Sequence, residues 1–354
     1  MSVDVRGLER QARRSLSADV YDYYAGGSGR EATLRASVQA WRQVPLLPRV
    51  LRDVSRVDTG IEVNAAPLAT PVCVAPTAFH GLAHPDGELA VAAGAASAGA
   101  LYVMSTRSSR RIEDVAAVTA QAGGTWWFQV YVMRDRELTA GLVRRAAAAG
   151  ATAIVLTGDT PVVGHKRRDR GLSVIGEQDF LANIGPLEDL CAAEQAADVT
   201  LADIGWLGEI SGGLPVIVKG VLRADDALAC ARHGAAGVIV SNHGGRQLDG
   251  AITTARALPG VVAALGAGPG QARCEVYVDG GLRSGEDILV ALALGARAAF
   301  IGRPVLWALA SGGALCVSDL LTGLTADLAH AMALAGAARV RDLDGLALTD
   351  TPSI

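Results

Sequence analysis

Eight short runs rich in β-branched and aromatic residues, each followed by a longer Ala- and Leu-rich segment, constrain this chain's fold more than anything else in it. The runs fall at 71–75, 101–104, 126–130, 153–157, 215–219, 237–240, 275–279 and 298–301. Strands separated by helix-length segments pair in parallel, because each helix must carry the chain back before the next strand starts. Eight such units predict a (β/α)8 TIM barrel rather than an open sheet. Half of the residues are hydrophobic, so a large core is possible; only 4% are aromatic, so Ala, Val and Leu must fill most of it. Acidic residues open two of the expected helices, at Asp86 and Glu88 and at Asp135 and Glu137, where they suit the positive helix N-terminus. Residues 1–70 form an N-terminal helical extension that starts with an amphipathic helix, 71–336 the barrel, and 160–200 a long loop after the fourth strand, over the barrel mouth. The whole of 1–354 reads as a single domain.

The formal net charge is −4, which gives no electrostatic basis for binding nucleic acid or an anionic membrane. Cys73, Cys191, Cys230, Cys274 and Cys316 are dispersed with no C-x-x-C pair, a pattern of reduced thiols. No apolar run follows Met1–Arg6, no stretch of about 18 residues reads as a bilayer span, and the last residues, Thr351-Pro352-Ser353-Ile354, do not form a peroxisomal address. A cytoplasmic protein is the expectation.

Polar residues collect where the strands end, the face on which barrels of this kind carry their chemistry. The densest group is Ser241-Asn242-His243-Gly244-Gly245-Arg246, directly after the sixth strand. It delivers a base, His243, and a carboxylate-binding fork, Arg246, three residues apart, with two glycines that let backbone approach a ligand. After the seventh strand comes Asp279-Gly280-Gly281-Leu282-Arg283, and after the eighth Gly302-Arg303-Pro304. Glycines also make tight turns in any barrel, but two adjacent glycine loops with basic residues point to a phosphate site. Lys219 ends the fifth strand, where a lysine serves as a nucleophile, an ion-pair partner or a cofactor contact. Asp159 either caps the following segment or sits beside His243 to stabilise an imidazolium.

These motifs resemble the FMN-dependent 2-hydroxy-acid oxidase and dehydrogenase family, which includes glycolate oxidase, lactate oxidase, mandelate dehydrogenase and hydroxymandelate oxidase. The likeness runs from about Asp19 to about Gly336. It implies FMN as cofactor, with its phosphate on Gly280, Gly281, Arg283, Gly302 and Arg303 and further contacts from Asp279. It puts Lys219 at the flavin pyrimidine edge, and Ser105, Gln129, Thr157 and Ser241 around the ring. Tyr21-Asp22-Tyr23-Tyr24-Ala25-Gly26-Gly27 resembles the family's opening motif, which brings Tyr23 to the substrate carboxylate beside Arg246. Tyr131 matches a second active-site tyrosine. His243, supported by Asp159, is the implied base. Whether it takes the hydroxyl proton or the C2 proton is open at this point.

The chain also departs from the family pattern. Arg107, near the substrate's side chain, stands where an aromatic or apolar residue is usual. Lys166 replaces an arginine that helps bind the carboxylate, keeping the charge but losing the planar fork. Gly158 replaces a β-branched residue, and Arg170-Gly171-Leu172-Ser173 replaces an Arg-Asn-x-Phe pattern. The expected reaction is oxidation of an (S)-2-hydroxy acid, aromatic like mandelate or small and aliphatic, to the 2-oxo acid. O2 or another molecule serves as acceptor, and the resemblance implies a homo-oligomer, tetrameric or octameric. An FMN-barrel isomerase, a nucleotide-reducing barrel and a non-catalytic flavin-binding protein are the competing readings. The first two do not require the His-x-x-Arg pair, and the third predicts its loss.

Overall fold

The computed structural model describes residues 3–168, 182–185, 189–266 and 274–348. Three helices come first, α1 (Val5–Ser15), α2 (Ala18–Ala25) and α3 (Ala32–Arg42). A hairpin of β1 (Ile61–Val63) and β2 (Ala66–Leu68) follows. The barrel strands are β3 (Val72–Val74), β4 (Tyr102–Ser105), β5 (Trp126–Val130), β6 (Ile154–Thr157), β7 (Val216–Val221), β8 (Gly237–Val240), β9 (Glu275–Asp279) and β10 (Ala299–Ile301). All eight are parallel, and β10 pairs with β3 to close the barrel. Each lies within two residues of its expected run.

Between them stand α4 (Glu88–Ser97), α5 (Ile112–Gln121), α6 (Arg136–Ala148), α7 (Ala202–Ile210), α8 (Ala224–Arg232), α9 (Thr254–Leu265) and α10 (Gly285–Ala293); α11 (Arg303–Leu334) follows β10. Their caps follow the sequence. The Asp135 side chain accepts the Glu137 N–H at α6, and Ser284 accepts that of Asp287 at α10. The acidic residue at the start of α4 has another use: Glu88 is fully buried and accepts the N–H groups of His80 and Ser109.

Three of the scarce aromatics fill the inside of the barrel. Trp127, Tyr277 and Phe300 meet there at ring separations of 5.5–5.9 Å. Val63 and Leu68 of the hairpin join the same apolar cluster and plug the barrel at the N-terminal ends of its strands. Functional groups are thereby left to the opposite face. One expectation is corrected: α11 is long and apolar enough to cross a membrane by length and composition. It is broken at Gly312-Gly313, half of its apolar window is buried, and it packs along α1, α4 and α10. The departure at residues 170–173 lies outside the described residues.

Candidate active site

A cavity of about 1010 Å³ opens at the C-terminal ends of the strands. Its wall includes Tyr23, Ser105, Arg107, Tyr131, Lys166, Lys219, His243 and Arg246, and, on the other side of the sequence, Asp279, Gly280, Gly281, Arg283, Gly302 and Arg303. Gln129, Thr157, Ser241 and Asp159 stand directly behind them through hydrogen bonds.

His243 follows β8 in the left-handed region (φ 56°), which a non-glycine residue rarely adopts. Its Nδ1 lies 3.0 Å from Asp159 Oδ1, and the two side chains are 20% and 14% exposed. With Nδ1 on the carboxylate, Nε2 is the ring nitrogen left for chemistry. Burial is the largest influence on His243 and lowers its pKa; Asp159 works the other way, while Lys219 and Arg246 reinforce burial. The ring is therefore neutral near pH 7. Burial raises the pKa of Asp159, but the His243 and Lys219 charges outweigh it and the carboxyl ends below its usual range. Gly220 makes the pair possible. It sits in a bulge of β7 at φ 106°, and a Cβ there would lie 2.5 Å from the Asp159 Cβ.

Strand register assembles a buried polar layer. Ser105 lies opposite Gln129, and Thr157 opposite Lys219. Gln129 Oε1 accepts the Ser105 hydroxyl at 3.0 Å, and its Nε2 donates to Thr157 Oγ1 at 2.9 Å. Lys219 Nζ donates to Ser241 Oγ at 3.0 Å and pairs with Asp279 Oδ2 at 3.3 Å. Burial works against the Lys219 charge, but Asp279, Asp159 and Tyr131 more than restore it, so the ammonium persists. Ser241 also accepts the His243 N–H, 3.1 Å away. Thr106, which the sequence reading passed over, donates its hydroxyl to the Gln129 carbonyl and accepts the Tyr131 N–H, fixing the two rim side chains relative to each other.

The loops after β9 and β10 make the cationic end of the cavity. Gly280 and Gly281 have φ 89° and 88°, and a Cβ on Gly281 would fall 2.1 Å from the Ser37 carbonyl of α3. Arg283 and Arg303 are depressed below their ordinary pKa by burial; for Arg303 the Arg246, Arg283 and Arg168 charges add to this. No carboxylate lies within 4 Å of either guanidinium among the described residues. Two part-buried cations with no carboxylate in ion-pair contact among the described residues suit an anion, and a phosphate at a helix N-terminus supplies one. The buried Asp279 Oδ1 faces this region with no hydrogen-bond partner among the described residues, as a hydroxyl-bearing chain would require. The residues present therefore fit FMN.

One detail differs from the expected phosphate pair. Arg303 donates to the carbonyls of Tyr24, Gly244 and Gly26 at 2.8–2.9 Å, so it lends the site field and scaffolding. Arg246 Nη1 likewise donates to the carbonyls of Tyr23 and Gly26, with its Cζ 5.3 Å above the Tyr23 ring. A third guanidinium, Arg168, donates to the Ala25 carbonyl and pairs with Glu31 and Asp22. Three barrel loops thus converge on the carbonyls at the C-terminus of α2, where cations are favoured. That collar brings Tyr23 to the cavity. Sequence reasoning missed Arg168; its only signal was a basic run in the loop after β6. Lys166 Nζ donates to the Gly164 carbonyl, and Arg107 Nη2 to the Ala193 carbonyl.

A model of the FMN-dependent dehydrogenase family matches residues 12–350. L-lactate oxidase of Nostoc sp. is 43% identical over 352 residues, covering 95% of each chain. 4-Hydroxymandelate oxidase of Amycolatopsis orientalis is 43% identical over 94% of each. Among solved structures, mandelate oxidase with (S)-2-phenylpropionate superposes with a TM-score of 0.88 at 43% identity over 97% of both chains. A mandelate oxidase variant holding a C4a-OH-FMN adduct does so at 0.86 and 43%, over 95% of this chain and 97% of that one.

Proposed function

This chain belongs to the FMN-dependent dehydrogenase family, and on that premise we propose that it oxidises an (S)-2-hydroxy acid to the 2-oxo acid, with O2 as acceptor and hydrogen peroxide as product. The observation that carries this reading is the part-buried His243–Asp159 pair, its histidine on strained backbone, at a cavity that also holds Arg246.

Arg246 binds the substrate carboxylate, its fork oriented by the Tyr23 and Gly26 carbonyls; Tyr23 and Lys166 assist. Tyr131 borders the hydroxyl-bearing carbon. His243 Nε2 accepts a substrate proton, and Asp159 stabilises the imidazolium that results. Bound FMN supplies the two-electron acceptor for this oxidation. Lys219, kept charged by Asp279, would hold positive charge beside the cofactor ring, with Ser105, Gln129, Thr157 and Ser241 as polar neighbours. Gly280, Gly281, Arg283 and Gly302 would hold the phosphate end, with the Arg303 charge behind them.

The same reading makes the protein a cytoplasmic homo-oligomer, a tetramer or an octamer. Five free cysteines support a reducing compartment. Exposed Leu47, Val50, Leu51, Leu334 and Leu348, on segments joined by backbone hydrogen bonds, support self-association. The test of the reaction is O2 uptake by the FMN-loaded protein with a panel of (S)-2-hydroxy acids. Equal amounts of O2 consumed, peroxide formed and 2-oxo acid formed are expected. Turnover only with an artificial acceptor would remove O2 from the reaction.

A further inference from the structure

We propose that Asn242 is a positioning residue for the base: it ties the strained turn of His243 to α3, and through α3 to the loop that holds the phosphate, so that filling the phosphate end fixes the base. This rests on the hydroxy-acid reading above and adds to it a residue that does not itself line the cavity.

His243 opens a run of three residues in the left-handed region, with φ 56° at His243, 61° at Gly244 and 73° at Gly245. The first of the three is not glycine, so its backbone holds strain that the surroundings must contain. Bonds within the loop close the turn without fixing its place in the molecule: the Asn242 carbonyl accepts the Gly245 N–H at 2.9 Å, and the His243 carbonyl that of Arg246 at 3.2 Å. The place is set from outside, by α3. Asn242 is 4% exposed, and its Nδ2 donates to Ser37 Oγ of α3 at 3.0 Å and to the Ile252 carbonyl at 3.3 Å. The Ser37 hydroxyl donates in turn to the Thr33 carbonyl at 2.7 Å, which leaves its oxygen as the acceptor for Asn242. α3 is itself docked on the same loop. Its N-cap residue, Glu31, makes no side-chain capping bond. Asp249, further along the His243 loop, caps in its place and accepts the Arg30 and Thr33 N–H groups at 2.8 and 3.0 Å.

The same serine faces the phosphate loop. Its carbonyl lies 2.1 Å from where a Cβ on Gly281 would stand, and Asn242 Oδ1 lies 3.0 Å from the corresponding point on Gly280. The Gly280 carbonyl accepts Trp41 Nε1 of α3 at 2.8 Å and Thr254 Oγ1 at 3.2 Å. Asn242 therefore has its amide nitrogen on α3 and its amide oxygen against the phosphate loop, with the base one residue on. That oxygen is buried and has no hydrogen-bond partner among the described residues, so it meets Gly280 by packing. Groups packed this closely cannot shift at one loop without shifting the others. A phosphate seated on Gly280 and Gly281 thus immobilises Ser37 and Asn242, and His243 with them.

The experiment reads backbone hydrogen exchange over residues 242–246 with saturating FMN and with saturating riboflavin, which lacks the phosphate, in the wild type, Ser37→Ala and Asn242→Ala. Steady-state rates of the FMN-loaded proteins on their best (S)-2-hydroxy acid accompany it. In wild type, exchange at Gly245 and Arg246 is expected to be about 10-fold slower with FMN than with riboflavin. In Asn242→Ala that difference should vanish. Its kcat should fall about 10- to 100-fold, the scale of a misplaced catalytic group. KM should change by less than about twofold, because Arg246 is held separately by the Tyr23 and Gly26 carbonyls. Ser37→Ala, which leaves the His243 loop unaltered, should show the same pattern with kcat down about fivefold, the scale of one hydrogen bond. The double variant should be no slower than Asn242→Ala. Four results would each overturn the proposal: equal exchange with FMN and riboflavin in wild type, a difference that persists in Asn242→Ala, a Ser37→Ala protein indistinguishable from wild type, or a loss carried by KM instead of kcat. Ser37→Ala decides alone if Asn242→Ala does not fold. Hydrogen exchange reads the anchor without turnover, so a wild type that oxidises no 2-hydroxy acid refutes the hydroxy-acid reading while the exchange result still decides the anchor.

Discussion

The chemistry of His243 is set by its neighbours. Burial, Lys219 and Arg246 disfavour the imidazolium, and Asp159 favours it, with a net downward shift from the ordinary value of 6.5. A base with a lowered pKa stays neutral as pH falls below that value and is lost only when pH passes its own pKa. The acid limb of kcat/KM is therefore expected to inflect below pH 6.5. Asp159→Asn removes the one favouring charge, so the limb should move lower still while kcat drops by about 10- to 100-fold; an upward shift would show that Asp159 does not act through His243. His243→Ala should keep its FMN and lose about 10²-fold or more in turnover, checked by flavin content and steady-state rate on one preparation. His243, Arg246 and Lys219 could be singled out in the sequence because each lies at or shortly after the end of a recognisable strand run, close to glycine. Arg168 could not, since its value comes from carbonyls of a helix more than a hundred residues earlier. Gly220 was visible as a glycine, but its need for a positive φ against the Asp159 side chain appears only when β6 and β7 are paired.

At the scale of elements, the phosphate loop is built against α3. Gly281 combines a positive φ with a backbone carbonyl, that of Ser37, where a Cβ would go. Neither can yield cheaply, so Gly281→Ala is expected to cost about 2 kcal/mol or more and to weaken FMN binding. Gly150, just after α6, is the control: its φ is 94°, yet nothing lies within 4 Å of an added Cβ. Gly150→Ala should cost about 1 kcal/mol and leave FMN affinity alone. Thermal melts and FMN titration of both variants check this; equal losses would mean that the contact with α3 is irrelevant. The barrel strands could be read because β-branched runs recur with helix-length spacing. The β1–β2 hairpin could not. Its strands are three residues long, too short to show a period, and its turn uses Asn64-Ala65, both at positive φ, instead of the Asn-Gly that signals such turns.

For the molecule as a whole, the plugged barrel leaves its open face for ligands. A cofactor that neutralises Arg283 and Arg303 should stabilise the fold, by about 2.7 kcal/mol at a hundredfold excess over Kd. The apoprotein is thus expected to melt several degrees lower than the FMN-loaded protein, with FMN and not FAD recovered on denaturation. No difference in melting temperature would mean that these arginines serve another anion. Barrel class and strand order followed from the sequence rhythm, whereas the collar of three arginines around α2 needed the closed barrel to bring loops from β6, β8 and β10 together. The most direct test of the whole reading is anaerobic addition of (S)-2-hydroxy acids to the purified yellow protein, with the flavin band followed near 450 nm (an approximate property of flavins). At least one acid should bleach the band in wild type, admitted air should restore it, and His243→Ala should hold FMN but bleach far more slowly. A bound flavin that no 2-hydroxy acid reduces, or one reduced equally fast without His243, would contradict the assignment of this cavity as a hydroxy-acid oxidising site.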